Sequence, residues 1–209
     1  RDRNLTSSVI NGLPFGIRDP YKNAIIQRVL RLNCVNVWYK ELWDDYASNY
    51  GNITWSINDC RLSSIDSHCI YDTGVLLRND YERRMAMVEI DVLVSMSIGL
   101  SLDDLEFIYK STFATTQKYE ADTWYDTNGR VVFSVSSEYD LKLPRTGNRR
   151  QETIGWEDIR GEQIDENTYA GTSPTHTNTI DPAKSEIYGG QQQTFVAPYT
   201  RCDRIADYR

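Results

Sequence analysis

Along the chain the apolar positions fall first at helical spacing and then, past Thr123, at the alternation of strands. Ile25, Ile26, Val29, Leu30 and Leu32 share one face, which predicts a helix over about 20–32, with Asp19-Pro20 supplying an N-cap and a proline at the first helical position. A second helix is expected over 35–48, turning Val37, Trp38, Leu42, Trp43 and Tyr46 inward and ending at Gly51-Asn52. The strongest helical period runs from Asn79 or Asp80 to Ile98. Met87, Ile90, Val94 and Ile98, joined by Leu93 and Met96, predict its buried stripe, and Gly99 is a natural C′ residue. Ser101 with Asp104 three residues on reads as a capping box opening a helix over 102–113.

The pattern changes in EADTWYDTNGRVVFS, residues 120–134. Trp124 and Tyr125 form one arm of a hairpin, Asp126 to Gly129 the turn, and Val131, Val132 and Phe133 the other arm; Asn-Gly tolerates the positive φ such a turn needs. From Lys142 to Gln193 there are many Gly, Pro, Thr, Asn and Gln and few aliphatic residues, which predicts a long and partly disordered surface excursion. Thr194–Ala197 is expected to return as a strand to the hairpin, and a last helix to start near Cys202-Asp203. The fold class is therefore α+β: a mainly helical core over 1–118, and over 119–209 a hairpin, a polar loop and a returning strand packed on it.

Charge and composition narrow the function. A net charge of −7 opposes non-specific polyanion binding by the whole chain, without excluding a local basic patch. No apolar run reaches the ~20 residues that span a bilayer, the first residue is Arg1, and CDRIADYR ends without a cap; a cytoplasmic segment of a longer polypeptide is expected. Cys34, Cys60, Cys69 and Cys202 form no CxxC, and Cys60, His68 and Cys69 lack the spacing of a zinc site, so reduced thiols are favoured. Without a secretory signal, the acceptor patterns at Asn4 and Asn52 read as chance.

No glycine-rich phosphate loop, no GxG and no Pro-Pro pair occurs, and neither His68 nor His176 lies near a nucleophile. No catalytic, cofactor-binding or metal residue is therefore assigned. Asp44-Asp45 and Asp103-Asp104 read as solvated helix faces. Glu89 and Asp91 interrupt the most apolar helix; one is expected to face water, the other to pair with an arginine such as Arg83 or Arg84. Arg130, Lys142, Arg145, Arg149 and Arg150, near Trp124 and Tyr125, are the candidates for DNA contact, against the equal alternative of a plain soluble loop.

Four segments carry a family likeness: RLNCVNVWYKELW (31–43), YERRMAMVEIDVLVSMSIGLSLDDLEFIYKSTF (81–113), YEADTWYDTNGRVVF (119–133) and PYTRCDRIADYR (198–209). They resemble the C-terminal region of large bacterial class I adenine-specific DNA methyltransferases of the restriction–modification and phage-defence type. The pattern runs from Glu89-Ile90-Asp91 through Gly99-Leu100 to Tyr109 and Phe113. The resemblance covers about two thirds of the chain and is weakest over 1–18, 50–78 and 160–193. It implies S-adenosylmethionine and base-flipping motifs in an upstream domain, with none in this segment. Its partners would be that catalytic domain and double-stranded DNA. Two readings stay open: a module supporting DNA target recognition, or a scaffold packing on the catalytic domain without touching DNA.

Overall fold

A computed structural model of the chain describes residues 20–47, 54–63, 71, 74, 76–137, 139, 141–148 and 153–209. Helix α1 (Tyr21–Asn33) follows Pro20 and packs along α3 (Asp80–Ile98). Between them lie a 3-10 turn (Val37–Tyr39) and α2 (Lys40–Ala47). After α3 come α4 (Leu102–Thr112) and α5 (Ala114–Ala121). Asp19, Gly51 and Asn52 lie outside the described residues, as do Asn4, His68 and Cys69.

Local signals set the ends of α3 and α4. The Asn79 side chain accepts from Glu82 N at 2.7 Å, and Gly99 closes α3 at φ 81°. Ser101 and Asp104 form the reciprocal box that opens α4.

The inward faces differ from expectation. In the second helical segment Trp43 alone of the five apolar residues is buried, against Leu30, Cys34 and Leu76. Val37, Leu42 and Tyr46 are exposed, and Trp38 is 86% exposed. The segment starts as a 3-10 turn, capped by Asn36, so Val37 and Trp38 do not line up with the α-helical face that carries Trp43. In α3 the expected stripe is also displaced. Met87, Met96 and Ile98 are exposed, and Ile90, Leu93 and Val94 only half-buried. The buried residues include Tyr81, Met85 and Val88 on one face and Ala86 and Glu89 near α1, together with Glu82, Arg84, Ser95 and Ser97. A helix with apolar residues on several sides fixes its period but not which side is covered.

The hairpin forms as the turn chemistry predicts, with β1 (Trp124–Tyr125) antiparallel to β2 (Val131–Phe133). It is bolted to the start of α3: Tyr81 N donates to Gly129 O at 2.9 Å, and Val131 N to Asp80 Oδ2 at 2.9 Å. Gly129 has φ 77°, and a Cβ there would stand 2.6 Å from Asn79 Oδ1. Both facts demand glycine. Asp126, fully buried under the turn, accepts from Asn128 N, Arg130 N and Val196 N.

The described residues between 142 and 193 form more regular structure than their composition implied. They contain α6 (Trp156–Ile159), β3 (Gln163–Asp165), β4 (Thr168–Tyr169) and β5 (Thr175–Thr179). The returning strand, β6 (Gln192–Val196), pairs with β5 and not with the hairpin. The strand that joins β1 is β7 (Tyr199–Arg201), just past the expected one. All pairings are antiparallel, and the five-stranded sheet runs β2-β1-β7-β4-β3. Its core is aromatic: the Trp156 ring stacks between Trp124 and Phe133 and meets Tyr169 and Tyr199 edge-on. Helix α7 (Arg204–Asp207), capped by Asp203, then returns the chain to α3 and α4. No helix among the described residues is long and apolar enough to cross a membrane.

Candidate functional site

The candidates for DNA contact are not brought together as an exposed patch. Trp124 and Tyr125 are buried, the first in the sheet core and the second against Tyr81 and Met85. They lie inward because the hairpin is covered on both sides, by the aromatic core and by α3. The Lys142 ammonium donates to the carbonyls of Ser134 and Ser136, closing the loop after β2. Arg145 pairs with Asp122 at 2.6 Å and lies over the Phe133 ring at 4.8 Å. Arg130 stands 3.9 Å from Asp126. Arg149 and Arg150 lie outside the described residues. Residues 119–209 hold ten Lys and Arg against fifteen Asp and Glu, so this half carries most of the negative charge.

Glu89 and Asp91, the two acidic residues that interrupt the apolar part of α3, are both paired, with arginines far away in sequence. Glu89 receives Arg28 Nε at 2.5 Å and Ser56 N at 2.7 Å, with the ion pair buried on both sides. Asp91 receives Arg204 Nη1 at 2.8 Å and the Tyr208 hydroxyl at 3.1 Å. Arg83 donates instead to the carbonyls of Leu32 and Leu77. Arg84 pairs with Asp207 at 2.7 Å and lies 3.5 Å from Glu120.

These groups form one charged seam where α3, α5 and α7 meet. Glu120 lies between Arg84 and Arg204 and accepts from the Tyr109 hydroxyl at 2.7 Å. Burial pushes the Glu120 carboxyl up, but two guanidiniums outweigh it and hold it below its usual range. Asp91 has one guanidinium, and there burial wins and raises its pKa. Burial also lifts the Tyr109 hydroxyl well above its ordinary value and pushes the Cys202 thiol up to about 11. The seam holds three carboxylates (Asp91, Glu120, Asp207) against two guanidiniums. Among the described residues, no donor reaches Asp91 Oδ1.

The seam floors one end of an open groove of about 440 Å³ between α3 and α4. Asp91, Val94 and Ile98 come from α3, at the i, i+3, i+7 positions of one face; Leu105, Ile108 and Tyr109 come from α4, with Phe113 beyond it. The next face of α3, with Glu89, Val92, Leu93 and Met96, borders a second cleft of about 340 Å³. Exposed apolar side chains border them, Met96 at the second cleft and Ile98, Ile108 and Phe113 at the first; Leu102 and Phe107, the latter 71% exposed, also stand in solvent on α4. Sequence reasoning marked this stripe but placed it inside. The signal that was missed is that polar Ser95 and Ser97, not their apolar neighbours, take the inward positions.

Among the described residues no three His, Cys, Asp or Glu side chains are grouped to hold a metal ion. Cys60 is exposed, Cys34 buried and Cys202 half-buried, all as free thiols. Compared with family models, curated proteins and solved structures, the chain shows no match.

Proposed function

We propose that this chain is a non-catalytic docking module that packs on the catalytic domain of an adenine-specific DNA methyltransferase and supports it without direct base reading. The observation that carries the docking role is the apolar surface of α3 and α4. The strongest hydrophobic stripe of the sequence stands half-covered on the outside and is continued across the groove by Ile108 and Phe113, with Phe107 also exposed on α4. Contiguous exposed apolar surface of this kind marks an interaction site. The parent activity rests on the family resemblance of residues 31–43, 81–113, 119–133 and 198–209.

The scaffold role is favoured over DNA target recognition by the placement of the basic residues. Arg145 and Lys142 have protein partners, the neighbouring aromatics are buried, and the half that holds them is acidic. The experiment uses the full-length parent. Phe107→Arg with Ile98→Arg is expected to abolish S-adenosylmethionine-dependent methylation and to expose the junction to protease. Arg130→Ala with Arg145→Ala is expected to leave rate and site preference unchanged. A loss of target affinity confined to the second pair would overturn the scaffold role. A parent that methylates no adenine would overturn the assignment.

A further inference from the structure

The charged seam and the groove above it specify what lies in the groove. We infer that the α3–α4 groove receives an amphipathic helix of the partner domain carrying one lysine or arginine, whose cation takes the open Oδ1 of Asp91. This rests on the docking role proposed above and names the chemistry of its contact.

Three observations lead to a helix with a cation. First, the walls are two helices joined by a short turn, lined by Val94, Ile98, Leu105 and Ile108. Side chains line both walls, so an extended segment would press its unpaired N–H and C=O groups against apolar surface. A helix satisfies its own backbone and offers side chains only. Second, the α3 wall runs from Asp91 to Ile98, ~11 Å at 1.5 Å per residue, which matches two turns of an inserted helix reading the groove at i, i+3 or i+4, and i+7. A third helix would complete a layer at ordinary interaxial spacing of ~8–10 Å.

Third, among the described residues the seam is one positive charge short. Three carboxylates face two guanidiniums, and Oδ2 of Asp91 already holds Arg204 and Tyr208. Oδ1 has no donor among the described residues, and the Asp91 side chain is 43% exposed at the groove. An ammonium or guanidinium arriving on a partner helix would pair with Oδ1 where part of the water is excluded, which strengthens the pairing. An acidic partner would place a fourth carboxylate against the seam and be rejected.

The test uses the full 209-residue chain and a synthetic helical probe about three turns long, leucine-bearing on one face, made with lysine, norleucine or glutamate at the position beside that face. Backbone amide NMR should show shifts at Val94, Ile98, Ile108 and Phe113 with the lysine probe. Binding should fall ~10-fold for norleucine and further for glutamate. The Asp91→Asn chain should bind the lysine and norleucine probes equally. Because the lysine-to-norleucine step changes only the probe, it decides the point even if Asp91→Asn unfolds the chain. Equal binding of the lysine and norleucine probes to the unchanged chain overturns the role of the cation. No shift in the groove with any probe, while the parent still loses methylation on Phe107→Arg with Ile98→Arg, overturns the groove and leaves the docking role standing. Concentration-dependent shifts of the same residues without probe would show a second copy in the groove and overturn the inference as well.

Discussion

The two halves of α3 differ more than their sequences do. From Asp80 to Glu89 the helix buries aromatic, aliphatic and charged side chains together, and each charged group has at least one hydrogen-bond partner. From Ile90 to Ile98 six of nine residues are apolar, yet these are half-buried or exposed while Ser95 and Ser97 take the buried positions. The first half is covered by the hairpin, α1 and the segment around Ser56 and Arg61; the second has grooves on two sides. Hydrophobicity alone thus does not say where the core is. What marks the core here is the set of long-range partners that makes burial of Arg28, Glu89 and Arg84 tolerable. The second half has one such charge, Asp91, held by Arg204 at the groove, and its remaining apolar face is free to meet another molecule.

The contrast gives a graded set of expectations, and the largest concerns a buried pair in the first half. Glu89→Ala would leave the Arg28 guanidinium buried with, among the described residues, only the Ala24 and Thr54 carbonyls as partners. Removing one member of a buried pair costs ~3–5 kcal/mol, because the other charge is stranded. Urea unfolding should show a loss in that range. A cost below ~1 kcal/mol would mean that Arg28 escapes to water, and that the first half is no better covered than the second.

A smaller effect concerns acid. Asp59 anchors the segment that covers the start of α3: Arg61 donates to it, and so does the Tyr81 hydroxyl, at 3.0 Å. The Arg61 guanidinium also stacks 3.6 Å over the Tyr81 ring. Hydrogen bonding from Arg61, against the opposing push of burial, holds the Asp59 carboxyl at about 2. A folded pKa below the unfolded one means that the contribution is complete above about pH 4 and is lost as pH falls toward 2. Solvent screening at this partly open site reduces it to about 1 kcal/mol. Unfolding free energy measured between pH 5 and pH 2 should therefore fall less steeply in Asp59→Asn than in the parent chain; parallel curves would remove Asp59 from the account.

Much of this architecture was legible because its determinants are local. Asn79, Gly99 and the Ser101–Asp104 box mark helix ends within three residues of themselves, and Asp126 to Gly129 specify their own turn. What could not be read lies in partners distant in sequence. Nothing near Glu89 announces Arg28, and nothing near Asp91 announces Arg204. The strands β3 to β5 escaped because QID, TY and THTNT have too few apolar residues to alternate, and their side chains are mostly exposed. Helix α5 has no apolar stripe and was missed for the same reason. Of the expected DNA-contact residues, Trp124 and Tyr125 are buried because α3 closes one side of the hairpin and Trp156 the other, neither of which is near them in sequence.

The smallest expected effect is also the sharpest for the comparison. Ile98→Lys replaces an exposed residue in the last turn of α3, the end of the outward half. Three terms decide the outcome in the free chain. Little apolar burial is lost, because the side chain stands largely in water. Lysine has a slightly better helix propensity than isoleucine. A positive charge in the last turn complements the helix dipole by ~0.3–1 kcal/mol. The change in stability should therefore stay within ~0.5 kcal/mol of zero, on the scale of ordinary surface substitutions. Urea unfolding of the isolated chain measures it. The same substitution should abolish the groove shifts with the lysine-bearing helical probe, since it puts a cation where the partner needs apolar surface. A chain that loses more than ~1 kcal/mol would show that Ile98 is already covered in the free protein, and the two halves of α3 would then be alike.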